Sequence, residues 1–125
     1  MGSFEKLLVW QKAHQLTLGV YRVTRSFPED ERYGLTAQMR RCAVSTGANL
    51  AEGSARRSEK DFARFVQIAF GSASELEQHL ILVIDLGYLS KENYAQLDAQ
   101  VTEVKRMLTG LRRKLTADGR RLTAQ

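Results

Sequence analysis

The chain has 125 residues, 43% hydrophobic and 26% charged, an ordinary balance for one globular domain spanning 1–125. Its longest unbroken apolar run, Leu80 to Ile84, is far short of the ~20 residues a membrane span requires, and its start lacks the basic-then-apolar layout of a signal peptide. With a single cysteine, Cys42, excluding an internal disulfide, the expected setting is a reducing cytoplasm without membrane association.

Four stretches repeat their apolar residues with a helical period, and almost nothing alternates with a period of two. The first runs from about Glu5 to Ser26, aligning Val9, Ala13, Leu16, Val20 and Phe27, and ends where Pro28 and a cluster of acids make a loop. The second, about Leu35 to Glu52, aligns Leu35, Met39, Ala43, Thr46 and Leu50. The third, about Glu59 to Leu86, aligns Phe62, Phe65, Ala69, Ser72, Leu76, Leu80 and Val83. The fourth begins near Ser90 and carries Tyr94, Leu97, Val101, Val104, Leu108, Leu111 and Leu115 in an unbroken heptad pattern. Short connections favour antiparallel neighbours, so the expected fold is all-α, an antiparallel up-down-up-down four-helix bundle.

The stretch NLAEGSARRSEKDF, Asn49 to Phe62, reads as the corner between the second and third helices. Gly53 suits the left-handed position just past a helix end. Ser58 with Asp61 three residues on fits a capping box, and Glu59 adds negative charge to the first turn. On either side lie small-residue runs, AVSTGANLAEG and AFGSAS, which predict a tight seam. A mid-helix glycine such as Gly47 costs about 1 kcal/mol relative to alanine and implies a close backbone approach. Pairing the helices across this corner places Cys42 beside Ala69 and Asn49 beside Phe62. The third helix also carries an adjoining apolar face, Ala63, Val66, Phe70, Ala73, Ile81 and Ile84, interrupted by Glu77. That face reads as an exposed patch that marks an oligomer interface; the other reading is a wide core face with Phe70 and Ile84 covered.

The segments VWQKAHQLTLGVY, FPEDERYGLTAQMRRCAVSTGANLAEG and DFARFVQIAFGSASELE, in that order, resemble the four-helix-bundle proteins encoded in intervening sequences of bacterial 23S ribosomal RNA genes. The resemblance covers about Phe4 to Tyr88 in clear motifs and the fourth helix in pattern; Leu50 stands where that family usually has isoleucine. It implies a four-helix bundle assembled as a ring-like homopentamer, with no established reaction. A more distant resemblance, to the accessory protein of diversity-generating retroelements, implies a pentameric bundle that binds nucleic acid.

The chemistry-bearing residues point away from catalysis. Di-iron bundles use Glu-x-x-His pairs, whereas His14 and His79 do not follow a glutamate by three. Glu75 and His79, four apart, are accounted for by a helical ion pair, and the pairing above puts no histidine near Cys42. There is no glycine-rich phosphate loop, so the reading is no enzyme, no metal, no cofactor and no small-molecule substrate.

Charge is the informative asymmetry. Residues 106–125 hold six bases and one acid, while the first 105 balance at 13 of each, so the net +5 belongs to the C-terminal end. The candidate nucleic-acid contacts are Arg40, Arg41, Arg56, Arg57, Lys60 and Arg64 in the middle, and Arg112, Arg113, Lys114, Arg120 and Arg121 at the end. Such residues neutralise phosphates without reading bases, and no base-reading motif is present, so RNA or DNA binding with little sequence specificity is expected. The alternative is a protein interaction scaffold whose charges serve solubility.

Overall fold

A computed structural model describes residues 3–124, with side chains from 4 to 117. It contains four α-helices, α1 (Leu8–Thr24), α2 (Leu35–Ser54), α3 (Glu59–Asp85) and α4 (Lys91–Ala124), and two short 3-10 turns, Ser3–Lys6 and Glu29–Glu31. Their side-chain pairings run in opposite directions at every neighbouring interface. Trp10 and Thr17 of α1 meet Gly47 and Ala43 of α2, and Ser45 and Gly53 of α2 meet Ser72 and Phe65 of α3. Glu77 and Val66 of α3 meet Lys105 and Leu108 of α4, and Lys12 and Gly19 of α1 meet Glu103 and Leu97 of α4. The packing therefore closes as an antiparallel up-down-up-down four-helix bundle, as the apolar periods predict.

The predicted stripes form the core. Leu16, Val20, Met39, Leu50, Leu76, Leu80, Leu97, Val101, Val104 and Leu108 are fully buried, and Tyr94 and Leu111 complete the α4 heptads half-buried against them. Buried leucines and valines of this kind contribute roughly 1.5–3 kcal/mol each, which is why the stripes and not helix propensity decide the fold.

The α2–α3 corner differs from its prediction at one residue and agrees at another. Gly53 is helical and lies within α2; the one residue with positive φ among those described is Gly87, at 79°. Gly87 carries out the role expected of Gly53: its N–H donates to Ile84 O (3.1 Å) and the Tyr88 N–H to Val83 O (3.0 Å), the bonding of a left-handed cap ending α3. Gly53 is glycine for a different reason. A Cβ there would lie 2.6 Å from Phe65 Cβ and 3.0 Å from Phe62 Cδ1, so the side chain is absent because α3 crosses there.

Ser58 caps α3 as predicted, its Oγ accepting from the Asp61 N–H at 3.0 Å. Asp61 itself pairs with Arg64 at 3.6 Å, and the described hydrogen bonds include no return bond to Ser58, so half of the box is formed. Ser58→Ala is expected to lower stability by about 1 kcal/mol in a denaturant melt; an unchanged midpoint would mean that solvent caps this helix equally well.

The register of α2 on α3 is displaced from the predicted one. Ser45 hydrogen-bonds Ser72 at 2.9 Å and Gly53 faces Phe65, about six residues further along α3 than a pairing of Cys42 with Ala69 allows. Cys42 instead lies beside Glu75 and His79, which corrects the expectation that no histidine approaches it. The seam is tight at Ser45–Ser72 and Gly53–Phe65, but Gly47 faces the Trp10 indole, which a Cβ there would meet at an ordinary 3.5 Å, and Gly71 is open to solvent, so neither glycine serves it. The adjoining face of α3 is also reassigned. Val66 and Ala73 are core residues, and Ala63, Phe70 and Ile84 pack half-buried against the core, with Lys105 of α4 over the Phe70 ring at 5.0 Å. Glu77, the interruption in that face, takes the Lys105 ammonium at 2.7 Å. Only Ile81 remains exposed, so this stripe is the α3–α4 interface and not a free patch.

Candidate nucleic-acid interface

Because α3 and α4 are antiparallel, the start of α3 and the end of α4 lie at one end of the bundle, together with the α2–α3 corner. Lys60, Asp61, Ala63, Arg64, Gln67 and Ile68 of α3 and Arg112 and Thr116 of α4 line a single open groove there. Charge remote in sequence is thus brought together. Arg56, Arg57, Arg113 and Lys114 are exposed at the same end, with the carboxylates of Glu52, Glu59 and Asp61 among them.

Two of the arginines are held by an aromatic ring. Arg56 and Arg64 place their guanidinium carbons 4.7 and 4.8 Å from the centroid of Phe65, itself buried against α2. Each also has a carboxylate: Arg56 with Glu52 at 2.8 Å and Arg64 with Asp61 at 3.6 Å. Exposed pairs of this kind are worth at most about 1 kcal/mol and leave the remaining guanidinium N–H groups free for an anion. Among the described residues no ion pair holds Arg57, Lys60, Arg112, Arg113 or Lys114.

Arg40 and Arg41 stand apart from this end. Fifteen residues of chain, mostly helical, separate Arg41 from Arg56, or about 20 Å along the bundle. Arg40 is half-buried, its Nε donating to Thr24 Oγ1 at 2.9 Å and its guanidinium 4.6 Å above the Tyr21 ring, so it ties α2 to α1. Arg41 is exposed. The side chains of Arg120 and Arg121 lie outside the described residues; their backbone continues α4, which runs nine residues past the buried Leu115.

The convergence of Arg112 on Lys60 and Arg64 was not predicted from the sequence, and neither was the part Phe65 plays beneath the arginines. The spacing of Arg64 next to Phe65 in the chain is the one local signal for the second. At Cys42, burial first and then the neighbouring Glu75 push the thiol pKa up to about 12, so at neutral pH it is a protonated thiol and a poor nucleophile. None of the described helices is long and apolar enough to cross a membrane.

The family model described as 23S rRNA-intervening sequence protein matches residues 5–110, most of the chain, and the chain belongs to that family. Among solved structures, it is similar to a protein of unknown function from the S23 ribosomal protein family of Bacteroides thetaiotaomicron, with 26% identity and a TM-score of 0.75 over 83% of this chain and 97% of that one. Comparison with curated proteins gives no match.

Proposed function

We propose that this member of the family is a non-catalytic, homo-oligomeric bundle of the cytoplasm that binds RNA or DNA through its basic end with little sequence specificity. The observation that carries the reading is the groove in which Lys60 and Arg64 of α3 meet Arg112 of α4. Its open shape suits a phosphate backbone better than a base, since nothing in it offers a deep, apolar slot for a ring. Five copies per particle is what the sequence resemblance implies.

The test is a binding titration of the full chain with RNA and with duplex DNA at two salt concentrations. Affinity should fall steeply as salt rises, with a log-log slope of roughly 0.9 per phosphate neutralised on duplex DNA, and should depend little on sequence. Truncation after Leu111 removes Arg112, Arg113, Lys114, Arg120 and Arg121 while keeping six of the seven predicted core positions of α4. The shortened chain should stay folded and lose most of its affinity. If full and shortened chains bind equally, the C-terminal bases are not the contact.

A second reading, a protein interaction scaffold, is favoured by one observation: Ile81 and Leu82 near the end of α3 and Leu86 just past it are exposed, away from the basic end. Absence of nucleic-acid binding at low salt would leave this reading standing. Light scattering on the eluting peak from size exclusion tests the assembly separately, and a monomer at micromolar concentration would remove the oligomer from both readings.

A further inference from the structure

The displaced register of α2 on α3 creates a side-chain cluster that the basic end does not use. Cys42 of α2 and Glu75 and His79 of α3 bring a thiol sulfur, a carboxylate oxygen and an imidazole nitrogen all within 4.8 Å of one another. His79 is 9% exposed, and both of its ring nitrogens are buried without a hydrogen-bond partner. Its Nε2 has the Glu75 Oε2 at 3.5 Å, too long to satisfy it. A buried imidazole without partners at either nitrogen is costly, and aiming it at a thiol and a carboxylate is what a cation would require.

The geometry points to a metal site: Cys42 Sγ, a Glu75 carboxylate oxygen and one His79 ring nitrogen bind a divalent cation of the zinc class, with water completing the shell. The donor set selects the class. Thiolate and imidazole together favour borderline-soft cations, whereas magnesium and calcium take oxygen ligands. Tetrahedral ligands at ~2.0–2.3 Å from zinc stand about 3.3–3.6 Å apart, a spacing that Glu75 and His79 already have. Cys42 and His79 are fixed by the helices they sit on, and the Glu75 side chain, more than half exposed, provides the adjustable ligand and the path in from solvent. Binding releases the thiol proton to water. A thiolate and a carboxylate then balance the two positive charges, with the imidazole neutral, so the half-buried site carries no net charge.

The probe is cobalt(II), added to the full, untagged chain under reducing conditions and read in the near ultraviolet, where a thiolate bound to cobalt absorbs. One cobalt per chain with that band, lost on adding zinc(II) and absent in Cys42→Ser, is the expected result. Because Cys42 is buried, its variant can fail by misfolding, so Glu75→Gln serves as the second arm: its exposed side chain leaves the core intact. Glu75→Gln should weaken cobalt binding more than about tenfold while its circular dichroism stays that of the parent chain. Zinc should raise the melting temperature of the parent chain and leave that of Glu75→Gln closer to its metal-free value. A folded parent chain without the near-ultraviolet band overturns the site, and so does Glu75→Gln binding cobalt as tightly as the parent.

Discussion

Gly53→Val is expected to lower the melting temperature by on the order of 10 °C, the largest stability loss from any single change proposed for this chain. The new Cβ would enter 2.6 Å from Phe65 Cβ, an atom fixed to the α3 backbone that no rotamer change can move away. α3 must therefore shift outward along the seam, straining the Ser45–Ser72 bond two turns away, and Phe62, whose Cδ1 would lie 3.0 Å from the new Cβ, must repack. Overpacking of a closed interface costs about 1–3 kcal/mol, with the upper end expected where backbone must move. Gly71→Ala is the matched control, because a Cβ there meets nothing within 4 Å. It should hold or raise stability by up to about 1 kcal/mol through helix propensity alone. Thermal melts followed by circular dichroism separate the two, and a Gly53→Val chain that melts like the parent would mean that α2 and α3 stand further apart at Phe65.

The combined change Lys60→Ala, Arg64→Ala and Arg112→Ala should weaken binding to RNA and duplex DNA on the order of a hundredfold at low salt and reduce the salt slope on DNA by about 3. All three side chains are exposed, so the fold should survive. The separation along the bundle supplies the contrast: Arg41→Ala should leave affinity nearly unchanged, and Arg40→Ala should cost stability instead, because its guanidinium bonds Thr24 and covers Tyr21. Should the Arg40 and Arg41 changes remove affinity while the triple change does not, the contact lies on α2 and the groove between α3 and α4 is not the interface.

The four helices were legible in the sequence because each had to bury a stripe, and the stripes named from their period are the ones found buried. What the period could not supply was the relation between helices. A glycine at a helix end is required equally by a left-handed cap and by a neighbouring helix in contact; Gly53 and Gly87 divide those two roles, and only the approach of Phe65 tells them apart. Register depends on how the chain turns through residues 55–58, for which no periodicity exists. The six-residue displacement followed from that, and with it the meeting of Cys42 and His79. Of the two readings of the second stripe of α3, the structure has the wide core face, because α3 packs against both α2 and α4 and a period alone does not count a helix's partners. Charge was legible as composition, and the corner bases were identified, but their meeting with Arg112 needed the antiparallel return of α4.

The order of packing has a consequence for how the chain reaches its fold. Each helix docks on its neighbour in sequence, and only the α1–α4 interface joins the two ends of the chain. Most contacts are therefore short-range along the sequence, the topology that folds in microseconds to milliseconds, and on a ribosome the α1–α2–α3 portion can assemble before α4 has emerged. The single tryptophan happens to record the first of these steps: Trp10 rests its indole against Gly47 of α2 and stacks on His14 at 4.9 Å, so its fluorescence reports the docking of α1 before the bundle closes.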